Sequence, residues 1–262
     1  YSPSRILEID ATIKPATIPG ALTLNTEGKP AAYDIEGIAT RPAGGFWLAS
    51  EGNPEHKEKP TKNILLRVSA KGEVEEEIRL PEELAKHAVR FGFEGVTVTG
   101  TGAEETVWLA VQREWKDDPK GKTKILSYKP ATKAWGVLHY PLTQPASGHW
   151  MGLSELVSLG DDRFAVIERD NAFGAKAFKT IQAFSVKGLT PAAIGSADIP
   201  TVAKSLLRDL TPDLMKAGGY GLDKVEGMTV DKAGNLFVVT DNDGVDDSSG
   251  ETQFFAFGPL PR

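Results

Sequence analysis

The sequence predicts an all-β protein, a β-propeller built from four-stranded antiparallel blades. Three observations carry that prediction: a motif that recurs four times, period-two alternation within each copy, and turn residues between the alternating runs. The copies are DIEGIATRPAGGFWLASEG from Asp34, GFEGVTVTGTGAEETVWLAVQRE from Gly92, GLSELVSLGDDRFAVIERDN from Gly152 and KVEGMTVDKAGNLFVVTDND from Lys224. Each holds an acid, a short alternating run, a Gly/Asp turn, a second run and a polar cluster. A unit of about four short strands returning roughly every 60 residues is the mark of a propeller blade. An antiparallel sandwich is the alternative, but it has no need of near-identical hairpins with acids at matching places.

The elements follow in chain order. The opening YSPSRILEIDATIKPA has neither the basic nor the apolar region of a signal peptide and reads as an outer strand. The runs GIAT, GVTV, ELVS and GMTV alternate with period two, as inner strands should. The turns PAGG, GDD and KAGN carry residues that tolerate positive φ. Behind each hairpin lie further strand-like runs: NILLRVSAKGEVEEEIRL, KTKILSYKPATKAWGVLHY, KTIQAFSVKG and ETQFFAFG. The exception is DIPTVAKSLLRDLTPDLMKAGG, residues 198–219, whose spacing, acidic start and Gly-Gly stop predict a short helical insertion near 198–217. Residues 1–262 thus read as one domain.

Composition narrows the function classes. A net charge of −6 argues against nucleic acid and anionic membranes as partners, and no apolar run is long enough to span a bilayer. The absence of cysteine excludes disulfides and thiolate metal sites, and leaves cytoplasm and periplasm equally open.

In a hairpin the first residue of one strand lies beside the last of its partner. Glu36 therefore pairs with Glu51, Glu226 with Asp241, Glu155 with Glu168, and Glu94 with Gln112. First strands line a propeller's channel, so Glu36, Glu94, Glu155 and Glu226 are expected to ring one mouth, as metal ligands or general bases. Crowded carboxylates must be protonated, paired with cations or bound to metal. Oxygen-only donors favour a hard cation, Ca²⁺ before Mg²⁺, held by Glu36, Glu51, Glu94, Glu155, Glu168, Glu226 and Asp241. The alternative is that the acids cap strand ends and pair with Arg113, Arg169 or Lys224. Arg113 and Arg169 are the candidates for holding the anionic group of a small substrate. The acidic stretch Asp241 to Glu251 lacks EF-hand spacing and reads either as a metal-binding loop or as a solvated one. His149, just before the third motif, is the histidine nearest the expected mouth, although a lone histidine is commonly structural. No G-x-S-x-G elbow, P-loop or H-E-x-x-H occurs, and GTG at Gly100 to Gly102 is a hairpin turn.

The ordered set DIEGIA, WLASEG, FEGVTV, LSELVSL, FAVIERDN and VEGMTV…VVTDND resembles the phytase-like domain family, the "esterase-like activity of phytase" proteins, over nearly the whole chain from Tyr33. The resemblance implies a secreted or periplasmic propeller whose acidic residues carry phosphoester or ester hydrolysis, with calcium bridging substrate phosphates as in β-propeller phytases. It also implies one or two earlier blades with a GGLSGL…SDD-like hairpin, which this chain lacks. The chain then reads as a fragment of a six-bladed propeller, or as one whose missing blades come from another chain. Three functions stay open: a calcium-dependent phosphoester hydrolase, a gluconolactonase-like lactonase or esterase, and a non-catalytic binding propeller.

Overall fold

The computed structural model describes residues 3–10, 16–144, 148–216, 224–241 and 252–260. Strands β1 (Arg5–Asp10) and β2 (Thr17–Thr23) pair as an antiparallel ribbon, followed by the small hairpin of β3 (Asn25–Thr26) and β4 (Lys29–Pro30). The first blade is β5 (Ile35–Thr40), β6 (Phe46–Ser50), β7 (Ile64–Val68) and β8 (Val74–Arg79), and a single helical turn, α1 (Glu82–Ala85), leads out of it. The second is β9 (Phe93–Thr99), β10 (Thr106–Val111), β11 (Lys122–Lys129) and β12 (Ala134–Pro141). The third begins with β13 (Met151–Gly160), β14 (Arg163–Asp170) and β15 (Lys179–Ser185). The chain then lends β16 (Ala192–Ala193) to the edge of the second blade and returns to complete the third with β17 (Lys204–Asp209). Helix α2 (Thr211–Lys216) precedes the fourth blade, which has three described strands: β18 (Val225–Val230), β19 (Asn235–Thr240) and β20 (Phe254–Pro259). These four antiparallel sheets form the expected propeller arrangement, with β5, β9, β13 and β18 innermost. Among the described residues no helix is long and apolar enough to cross a membrane.

Hydrophobic burial between blades holds the arrangement together. Successive side chains of a strand point to opposite faces, so one strand feeds two interfaces. In β10, Val107, Leu109 and Val111 pack toward the first blade, while Trp108 and Ala110 pack toward the third. In β14, Phe164 and Val166 face the second blade, and Ala165 and Ile167 face the fourth. That two-sided demand explains why TVWLAV is buried throughout. The far face of the first blade, with Leu48, Leu66 and Val68, is covered by Leu24 and Ile6 of the N-terminal segment. Among the described residues no hydrophobic cluster joins the fourth blade to the first.

The Glu-Gly pairs have a packing reason. A Cβ on Gly37 would lie 2.3 Å from the Glu94 carbonyl oxygen, and one on Gly95 would lie 2.1 Å from the Leu156 nitrogen. Glycine after the acid lets neighbouring inner strands touch backbone to backbone.

The helical insertion expected near 198–217 requires correction. Lys204–Asp209 is the outer strand of the third blade, paired with Thr180–Phe184, and only Thr211–Lys216 is helical. The open edge of β15 captures the SLLRD backbone, and this non-local pairing overrides local helix propensity. Helix α2 starts where Asp209 Oδ1 accepts the Thr211 N–H at 3.0 Å, with Pro212 in the first turn. The Gly-Gly stop lies outside the described residues.

Candidate functional site at the channel mouth

Every innermost hairpin carries a β-bulge beside its motif acid. The register shifts between Ile35 and Gly37, between Leu109 and Val111 opposite Glu94 and Gly95, between Leu153 and Glu155, and between Val225 and Gly227. A bulge re-aims the extra side chain. Glu36 and Glu226 occupy that place in the first and fourth blades, and Glu94 corresponds to them in the second.

The third blade departs from the expectation by one residue. Leu153 opposes Glu168 and Glu155 opposes Ile167, so Ser154, not Glu155, stands where Glu36 and Glu226 stand. Its partner across the hairpin is Arg169, which donates through Nε to Ser154 Oγ at 2.8 Å. Arg169 thus corresponds to Glu51, Gln112 and Asp241, while Arg113 lies one residue beyond that position. Glu155 takes the glycine's place and is buried. Its carboxylate receives the backbone N–H of Leu156 at 2.8 Å, and also those of Val96 and Met228, tying three inner strands together. Glu168 points away from the ring acids. It accepts bonds from Lys204 Nζ at 2.6 Å, the Tyr140 hydroxyl at 3.0 Å and the Thr143 N–H. The expected Glu155–Glu168 pair does not form.

The first blade supplies the tightest cluster. Carboxylate oxygens of Asp34, Glu36 and Glu51 all lie within 4.8 Å of one another. Asp34 escapes sequence reading, because it precedes the repeated Glu by two residues and has no counterpart in the other copies. Burial pushes the Glu36 carboxyl up to about 8, aided by Asp34, Glu51, Glu226 and Asp241. Burial likewise raises Glu51 to about 7, against the Gly92 N–H that it accepts at 2.7 Å. Glu94 is raised well above the carboxylate range by burial, then by Glu226, Glu36 and Glu51, and Gln112 Nε2 donates to it. Burial also holds Glu155 at about 8, against its three backbone donors. Glu226 contributes to all four shifts, so these acids share one electrostatic neighbourhood.

The basic groups divide into committed and available ones. Arg169 is buried, and its Nη2 pairs with Glu226 Oε1, as the ion-pair alternative expects for one acid. The other oxygen, Glu226 Oε2, is buried without a hydrogen-bond partner among the described residues. The Arg113 guanidinium lies over the rings of Phe91 and Trp150, at 5.0 Å and 5.1 Å, and Arg169 lies over Trp150 at 5.3 Å. Sequence reading misses both rings, since neither belongs to a repeated position. His149 is exposed beside Trp150. Asp241 lies within reach of the first blade electrostatically: its charge acts on Glu36, and its N–H donates to the Lys224 carbonyl at 2.9 Å. The rest of the acidic stretch to Glu251 lies outside the described residues.

A family model described as "Phytase-like: Esterase-like activity of phytase" matches residues 1–244. No curated protein matches the sequence. Among solved structures the chain is similar to Penicillium chrysogenum alpha-L-arabinanase complexed with arabinobiose, at 12% identity and a TM-score of 0.46, over 98% of this chain and 67% of that one.

Proposed function

The chain belongs to the phytase-like family, and from that premise we propose that it is a calcium-dependent hydrolase of phosphoesters, active outside the cytoplasm. The observation that carries this reading is the Asp34, Glu36 and Glu51 cluster, with its oxygens within 4.8 Å. The donor chemistry fits a hard cation, which takes six to eight oxygens at roughly 2.3–2.6 Å. Two of the three acids have pKa values of about 8 and about 7, so at neutral pH the cluster resists full ionisation unless a cation compensates it. Asp34, Glu36 and Glu51 would hold the ion, with the unpartnered Glu226 Oε2 and the Asp241 carboxylate in support. An ion there would neutralise a substrate phosphate and acidify an attacking water.

The chain's own groups supply the rest. Glu94, raised well above the carboxylate range by burial, keeps a proton beside the cluster, and Gln112 fixes its orientation. Arg169 holds Glu226 in place and is committed to that task. Arg113 remains to receive an anionic group. Glu155 and Glu168 serve the scaffold in this reading, as a strand tie and as the counter-ion of Lys204.

The test is hydrolysis of p-nitrophenyl phosphate and of a bis-aryl phosphodiester, each with calcium and with excess chelator. Calcium-dependent turnover of either is expected. Turnover of a lactone but of neither phosphoester would replace the proposal with the lactonase reading.

A further inference from the structure

Phe91 combines a costly backbone with a place beside the mouth. Its φ is 71°, in the left-handed region, where a bulky side chain is a genuine outlier. Among the described residues the other non-glycine residues with positive φ are Glu27, Lys133, Asp161 and Asp162, all in turns between paired strands. Phe91 is in no hairpin turn. Strain of this kind persists only where the surroundings over-determine it.

The surroundings here are specific. Glu51 Oε1 accepts the Gly92 N–H at 2.7 Å, and the Gly92 carbonyl accepts the Gln112 N–H at 2.8 Å. Asn63, itself buried, accepts the Phe93 N–H at 2.9 Å and the Gly52 N–H at 3.0 Å through one oxygen. A Cβ on Gly92 would lie 1.9 Å from that oxygen, so the segment is pinned against Asn63. The pinned backbone turns the Phe91 ring toward Trp150, with centroids 6.0 Å apart, and the Arg113 guanidinium lies over both rings.

Among the described residues Arg113 has no carboxylate partner, and its Nε is buried without a hydrogen bond. A guanidinium cannot shed its proton. Ring faces stabilise such a cation through its plane and leave its N–H edge for an oxyanion. We propose that Arg113, Phe91 and Trp150 form an anion subsite of the phosphate class, in which Phe91 is the positioning residue, and that residues 91–93 tie this subsite to the Glu51 end of the acid cluster. The choice of phosphate rests on the hydrolase reading; the subsite itself rests on the geometry.

The test uses inorganic phosphate as the probe and calorimetric binding to the full chain without calcium. Phe91→Leu keeps bulk and backbone demand but removes the π face, and is expected to weaken phosphate about tenfold with little change in melting temperature. Arg113→Lys should weaken it similarly, and the double variant should lose clearly less than the sum of the singles, because Phe91 and Arg113 share a contact, although the Phe91 ring also carries Arg90 at 5.1 Å. Phe91→Ala adds a second reading of the ring should the leucine pack differently. Wild-type affinity in Phe91→Leu and Phe91→Ala, additive losses in the double variant, or no phosphate binding by the wild type would overturn the subsite. Phosphate binding that depends on Phe91 and Arg113 without phosphoester turnover would support the subsite and defeat only the hydrolase proposal.

Discussion

Glu36 sits among Asp34, Glu51, Glu226 and Asp241, and its pKa of about 8 records the cost of ionising there. A folded-state pKa above the ordinary 4.5 means that the folded protein binds the proton more tightly than the unfolded chain does. Its contribution is therefore most favourable at acid pH and declines as pH rises from about 4.5 toward about 8. The decline is at most about 1.4 kcal/mol for each pH unit crossed. Melting temperature without metal should fall across that window. Glu36→Gln should flatten the fall and remove most of the calcium-induced gain. A chelated protein whose melt is level from pH 5 to 8 would contradict the assignment. The committed ion pair is tested by substitution. Replacing buried Arg169 by Gln strands Glu226 and Ser154 and should cost about 3 kcal/mol in urea unfolding, with part recovered in Arg169→Gln/Glu226→Gln. At this scale the electrostatic grouping of Glu36, Glu94 and Glu226 is legible in the sequence, through the recurrence of Glu-Gly before the alternating runs. Which residue of Ser154-Glu155 faces the mouth is not, because a bulge shifts register by one without changing composition.

At the scale of the element, the inner strands are legible because each repeats a period-two run, and their close approach explains the repeated glycine. Gly95→Ala would force a Cβ to within 2.1 Å of the Leu156 nitrogen, which is backbone and cannot step aside. A loss of about 3 kcal/mol or more is expected, or failure to fold. Gly44→Ala is the control. Its Cβ meets nothing within 4 Å, so only its φ of +91° opposes the change, at about 1 kcal/mol. Equal losses at the two sites would mean that inner-strand contact does not set the glycine requirement. Strand β17 is hidden from sequence for a different reason. LLRDL has helical spacing, yet its conformation is decided by the free edge of β15, which is distant in sequence and invisible to local pattern. Phe91 and Trp150 are hidden likewise, since a ring pair assembled from two loops leaves no periodic trace.

For the whole molecule, three interfaces between successive blades are closed by hydrophobic clusters, whereas the fourth blade and the first have no such cluster among the described residues. What passes between them instead is charge: Glu226 and Asp241 of the fourth blade both act on Glu36 of the first, with repulsive sign. Apolar burial stabilises the middle of the arrangement at any calcium concentration. How closely its ends approach therefore depends on what neutralises those acids. A divalent ion at Asp34, Glu36 and Glu51 would turn the repulsion from Glu226 and Asp241 into attraction, and its binding free energy would appear as local stability where the ligands lie. Amide hydrogen exchange with and without calcium should then show protection gained in β5, β6, β18 and β19, at least several-fold, with β10 and β14 little changed. Glu226→Gln should reduce the gain in β18 and β19 more than that in β5 and β6. Protection spread evenly over all four blades would indicate that calcium stabilises the fold globally, and protection confined to the first blade would show that the ion does not bridge to the fourth.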